Sequence, residues 1–126
     1  MAKNKKILII EDDKFLAKML SKMLESHHYE TLLASNGKEG LLKASAGDIG
    51  LILLDIMLPD IDGFDLLETL KNDEKIKKVQ VIIISNLGQP EDMQQGRALG
   101  AVDYLVKSDL SLDQVVKKVR KYLPPN

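Results

Sequence analysis

The chain has 126 residues, 44% of them hydrophobic and 29% charged, a balance that excludes a disordered or collagen-like polymer and fits one hydrophobic core. Eighteen basic and nineteen acidic side chains leave a net charge of -1, so no overall field draws the chain to nucleic acid or anionic lipid, and no direct DNA binding is expected. With no cysteine there is neither a disulfide framework nor a thiolate metal site, which fits a reducing, cytoplasmic setting. No apolar stretch approaches the roughly 18 residues of a membrane-crossing helix, so a soluble, unprocessed chain without membrane insertion is expected.

In chain order, short apolar runs alternate with longer stretches of helical spacing. A strand is expected over 7–10, then a helix over 14–26 with Leu16, Met19, Leu20 and Met23 on one face. A strand over 31–34 and a helix over 38–46, with Leu41 and Leu42 beside alanines, follow. The third pair is a strand over 51–54 and a helix over 64–71 carrying Leu66, Leu67 and Leu70. After a strand over 81–84, Gln89-Pro90-Glu91-Asp92 opens the fourth helix, with proline in the first turn and acids at the positive end of the dipole. A strand over 102–106 leads to a fifth helix, capped by Ser111 and ending before Pro124. The runs are so continuously apolar that all five strands read as central or nearly so. The pattern is (βα)5, read as a single domain over 1–126 with no output domain. Right-handed crossovers then give a doubly wound α/β fold with a five-stranded parallel sheet, whose ligands gather at the carboxyl ends of the strands.

Those strand ends carry the chemistry. The first strand ends in Glu11-Asp12-Asp13, the third in Asp55, the fourth in Ser85-Asn86 and the fifth in Lys107-Ser108. If the first and third strands are neighbours, Glu11, Asp12 and Asp55 crowd together, and each pair at about 4 Å repels by about 4 kcal/mol at an effective dielectric near 20. Such a cluster requires cations. Its hard oxygen ligands suit Mg²⁺, and Lys107 is the second counter-charge. A carboxylate nucleophile at Asp55, a hard ion, a lysine and the Ser85 hydroxyl are the parts of a phosphoryl-transfer site.

The stretches ILIIEDD (7–13), LILLDIMLPDIDGFDLL (51–67), VIIIS (81–85) and LGAVDYLVK (99–107) together resemble the receiver domains of two-component response regulators, of the stand-alone, chemotaxis-regulator-like kind, over nearly the whole chain. The resemblance implies the flavodoxin-like strand order 2-1-3-4-5. It implies that Asp55 is the phosphoacceptor, taking its phosphoryl group from a sensor histidine kinase or a histidine phosphotransfer protein. It also implies that Asp12 binds Mg²⁺ directly beside Asp55, that Glu11 acts mostly through water, and that the backbone carbonyl of Met57 completes the protein's ligands. Lys107 and Ser85 would contact the phosphate, Ser85 and Tyr104 would form the switch, and Phe15 would lie where the kinase docks. The activated face of the fourth helix, fifth strand and fifth helix would then meet a downstream protein target, the chain being a monomer or weak homodimer. It would not be an enzyme beyond taking up and slowly losing its own phosphate.

Three departures from the family pattern involve four positions: Ser108 replaces the usual proline, Asn86 replaces a small residue, and Met57 and Leu87 cannot orient an attacking water. The last feature implies slow hydrolysis, and the first a differently shaped loop after the fifth strand. A haloacid-dehalogenase-like phosphatase is the enzymatic alternative, but Met57 stands where its general acid should be. A receiver-like interaction module not regulated by phosphorylation is the other. Asp13, Asp60, Asp62 and Asp65 read as capping or solvated acids, His27-His28 as a helix end, and Lys117, Lys118, Arg120 and Lys121 as a solvated face.

Overall fold

A computed structural model describes residues 5–125 of the chain. The sequence readings on Met1 to Asn4 and on Asn126 lie outside that range. The elements are β1 (Lys6–Ile10), α1 (Lys14–Ser26), β2 (Glu30–Ala34), α2 (Gly37–Ser45), β3 (Ile49–Leu54), α3 (Gly63–Asn72), β4 (Gln80–Ser85), α4 (Pro90–Ala98), β5 (Asp103–Val106) and α5 (Leu112–Tyr122). All strand pairs are parallel, in the order β2-β1-β3-β4-β5, as the doubly wound reading requires.

The central strands are buried on both faces because their runs 7–10, 51–54 and 81–84 are wholly apolar, and alternation sends neighbours to opposite sides. Leu8, Ile10, Ile52, Leu54, Val81 and Ile83 pack with α2, α3 and α4, where Leu66, Leu67 and Leu70 lie. Ile7, Ile9, Leu51, Leu53, Ile82 and Ile84 face α1 and α5, meeting Leu20, Leu24, Val115 and Val119. Each such side chain contributes about 1.5–3 kcal/mol by burial, and truncating one, Leu67→Ala for instance, costs about 2–5 kcal/mol.

Several sequence readings are corrected. β2 and β5 are edge strands, not central ones, and the middle residues of β2, like Leu105 and Val106 of β5, are only half-buried. Their apolar character serves one covered face. On α1 the buried residues are Ala17, Leu20 and Leu24, while Met19 is exposed. On α2, Gly40 and Ala44 face the sheet and Leu42 points to solvent, because a close helix approach selects small residues at the contact. After β5 the chain makes a single 3₁₀ turn over Lys107–Asp109, with Leu110 N–H donating to the Lys107 carbonyl at 3.2 Å, so Ser108 sits in a compact turn. Among the described residues no helix is long and apolar enough to cross a membrane.

Candidate functional site

β1 and β3 run in register, with Ile10 beside Leu54, so the next residue on each strand, Glu11 and Asp55, emerges side by side where strand order reverses. Asp55 N–H donates to the Ile10 carbonyl at 3.0 Å and Glu11 N–H to the Ala34 carbonyl at 2.9 Å, extending both ladders by one residue. Both carboxylates are buried, at 3% exposure each. Asp12 is exposed beside them, and one carboxylate oxygen from each of Glu11, Asp12 and Asp55 lies within 4.8 Å of the others.

Lys107 reaches this cluster because β5 pairs with β4 in register, Val106 beside Ser85. Its Nζ donates to Glu11 Oε1 at 2.7 Å and to Asp55 Oδ2 at 3.1 Å. The remaining oxygens are also used: Glu11 Oε2 accepts from Asp13 N–H at 3.1 Å, and Asp55 Oδ1 from Met57 N–H at 3.0 Å. Hydrogen bonding is therefore complete on the two buried acids, yet charge is not, since one ammonium faces three carboxylates. Burial pushes the Glu11 carboxyl up to about 7 against the opposing pull of Lys107 and the Asp13 amide. Burial alone would lower the Lys107 ammonium, but Glu11 and Asp55 outweigh it and hold the group above the ordinary lysine range, so it stays charged. An all-oxygen donor set with surplus negative charge fits a hard divalent cation.

Ser85 is fully buried at the end of β4, and its Oγ accepts from Leu87 N–H at 3.1 Å. Tyr104 lies inward, its ring close against Gly96 of α4 and its hydroxyl donating to the Leu87 carbonyl. Phe15 is 75% exposed and Met57 56% exposed at the rim, and Asn86 faces solvent. A cleft of about 400 Å³ opens beside Asp12, between Met57, Pro59 and Leu87.

The four acids read as capping or solvated divide. Asp13 and Asp62 cap the helices that follow them, α1 and α3. Asp60 instead bonds the amino end of α2, and Asp65 lies exposed in the first turn of α3. His27 ends α1 and its Nδ1 accepts from the Arg120 guanidinium at 2.9 Å, while His28 holds a φ of 73° in the turn that follows. Asp103 is a buried acid that the sequence pattern did not single out. It binds Lys118 at 3.0 Å, so this part of the α5 basic stretch is paired and not merely solvated. The sequence signal was a carboxylate inside the strand expected over 102–106.

Residues 7–120 match the family described as the response regulator receiver domain. The chain belongs to that family. Its relatives include the transcriptional regulatory protein CusR of Escherichia coli, 38% identical over 118 residues that make up 94% of this chain but 51% of CusR. The chain thus spans about half the length of that relative. The polar-differentiation response regulator DivK of Brucella anthropi is 29% identical over 119 residues, covering 94% of this receiver domain and 96% of DivK. Among solved structures, the chemotaxis protein CheY4 of Vibrio cholerae superposes with a TM-score of 0.88 at 26% identity, over 96% of this chain and all of that one. The receiver domain is a module of two-component signalling, and its fold and acidic cluster are consistent with phosphoacceptor signalling.

Proposed function

We propose that this receiver domain takes a phosphoryl group onto Asp55 from the phosphohistidine of a sensor histidine kinase or phosphotransfer protein. The observation that carries this reading is the buried Asp55 carboxylate, bonded to Lys107 at 3.1 Å inside a cluster with more acid than base. An Asp55 oxygen attacks phosphorus while the N–P bond breaks and its electron pair returns to the imidazole. Asp12, Asp55 and the Met57 carbonyl would hold Mg²⁺, with Glu11 acting through water. Bound there, the ion would neutralise charge on the transferring phosphoryl oxygens. Lys107, shared between Glu11 and Asp55 at rest, follows the new charge onto the phosphoryl group. The Ser85 hydroxyl, which now accepts from Leu87 N–H, turns to donate to it.

Phosphorylation then shifts the population of the face built from α4, β5 and α5, which meets a downstream protein target. The exposed Phe15 on α1 supports a docking contact for the phosphodonor beside the cluster. The chain turns over no external substrate in this reading. With apolar Met57 and Leu87 flanking the site, the phosphoryl group is lost slowly, so a half-life of many minutes is expected for purified protein with Mg²⁺, and rapid loss would refute it.

A second reading, an interaction module working without phosphate, is favoured by one observation: Tyr104 is already buried with its hydroxyl bonded to the Leu87 carbonyl. Intact mass after incubation with acetyl phosphate and Mg²⁺ separates the two. A single phosphoryl adduct on the wild type, absent from Asp55→Ala, supports the phosphoacceptor. No adduct with any donor, a histidine kinase included, overturns it in favour of the module.

A further inference from the structure

The β3–α3 loop is tied down at both its base and its tip. At the base, Gly63 N–H donates to the Ile56 carbonyl at 2.9 Å, and Met57 and Asp62 form an isolated antiparallel bridge. Only glycine fits there, since a Cβ on Gly63 would lie 2.3 Å from Ile56 Cα. At the tip, Asp60 reaches across to α2: Oδ1 accepts from Gly37 N–H at 2.8 Å and Oδ2 from Lys38 N–H at 2.9 Å. Ile61 closes onto the same spot, so tightly that a Cβ on Gly37 would lie 2.0 Å from Ile61 Cγ2.

Neither helix needs Asp60 as its own cap. Asn36 caps α2 by accepting from Glu39 N–H at 2.8 Å, and Asp62 caps α3 by accepting from Phe64 N–H at 2.8 Å. Asp60 takes up the two first-turn donors that Asn36 does not reach. Those amides hold its carboxyl below the ordinary aspartate range even though the side chain is exposed. Beyond this contact, α2 lies directly on β1: a Cβ on Gly40 would lie 2.6 Å from Ile10 Cδ1, and Ile10 is the residue before Glu11 and Asp12. The contacts thus close a ring running from the end of β1, through α2 and Asp60, to the loop after Asp55.

We propose that Asp60 is a positioning residue for the metal and phosphoryl site, clamping the loop that carries Met57 at a fixed distance from the Glu11-Asp12 pair. The inference rests on the phosphoacceptor reading above. It assigns Asp60 no contact with ion or phosphate. Supporting groups of this kind typically change metal affinity by about 10–100-fold when removed, and an exposed clamp belongs at the low end.

The test is the Mg²⁺ dependence of phosphorylation by acetyl phosphate. In Asp60→Ala the Mg²⁺ concentration for half-maximal rate rises about tenfold, while the rate at saturating Mg²⁺ stays near that of the wild type. Asp60→Asn, which keeps one amide acceptor and no charge, falls between them. Asp65→Ala, removing an exposed acid of α3 whose side chain has no hydrogen bond or ion pair to α2 among the described residues, leaves the half-maximal concentration unchanged. By reciprocity, Mg²⁺ moves the Gly37 and Lys38 amide resonances in the wild type and much less in either Asp60 variant, a readout that holds for Asp60→Asn should Asp60→Ala fold poorly. An unchanged half-maximal concentration overturns the proposal, whether or not the thermal midpoint falls. So does a shift of equal size in Asp65→Ala, which would mark a simple charge effect. Wild-type protein that takes up no phosphoryl group defeats the underlying reading, whereas a Mg²⁺-dependent wild type with indifferent Asp60 variants defeats the clamp alone.

Discussion

Asp55 and Asp103 are both buried aspartates bonded to a lysine at nearly the same distance, 3.1 Å to Lys107 and 3.0 Å to Lys118. Their surroundings differ in charge. Asp103 stands alone among donors: Oδ1 accepts from Tyr104 N–H at 2.8 Å, and Oδ2 from the Tyr122 hydroxyl at 3.1 Å as well as from Lys118. Burial would raise its carboxyl, but Lys118, the Tyr104 amide and the Tyr122 hydroxyl together bring it below the ordinary range. Asp55 shares its one lysine with Glu11 and faces Asp12 too. A balanced pair ties β5 to α5 and is complete; an unbalanced cluster stores a demand for positive charge that a ligand can meet. The geometry of the two lysine bonds is alike, so the count of neighbouring acids is what distinguishes the two sites.

The largest expected effect tests that division directly. Asp55→Asn abolishes the phosphoryl adduct, yet raises stability in Mg²⁺-free buffer by about 1 kcal/mol because one of three like charges is gone. Asp103→Asn does the reverse, keeping the adduct. A loss of adduct in Asp103→Asn would break the comparison. Lys107→Met leaves buried acids unpaired and costs about 3 kcal/mol by urea unfolding at neutral pH, part of it recovered by added Mg²⁺. Asp103→Asn costs about 1–2 kcal/mol, discounted because Lys118 is 38% exposed, and Lys118→Met costs about 1 kcal/mol or less, with no recovery by Mg²⁺.

A separate test of the comparison is a pair of opposed pH slopes in Mg²⁺-free buffer. Glu11 is raised in the fold from 4.5 to about 7, so the folded chain binds the extra proton, and stability falls as pH rises across that window. Asp103 is lowered from 3.8, so its contribution is present at neutral pH and is lost as pH drops through the usual carboxylate range. Urea midpoints measured across both windows should lose the upper slope in Glu11→Gln and the lower one in Asp103→Asn. A single slope removed by either variant would refute the separation.

Much of the site was legible because apolar runs stop abruptly at polar residues. Glu11, Asp12, Asp55 and Lys107 follow strands and Ser85 ends one, and a parallel sheet puts all such ends on one edge. The positions that escaped are those whose partners lie far along the chain. Asp60 reads as a local cap, yet its donors, Gly37 and Lys38, are 23 and 22 residues away. Asp103 and Lys118 show no periodic relation that would pair them. Leu42 carries an apolar signal but lies outside, because the helix rests on Gly40 and Ala44.

The sequence by itself determined the element order, the parallel sheet and the set of charged groups at its carboxyl edge, since short apolar runs bury only in a covered sheet and helices are forced into the crossovers. Tertiary structure alone decided which strands became edges, that Tyr104 lies inward, that Lys107 bridges Glu11 and Asp55, and that Asp60 fastens the β3–α3 loop to α2. Periodicity reports how much of a segment is buried, whereas pairing of charges and donors depends on distances set by the whole packed sheet.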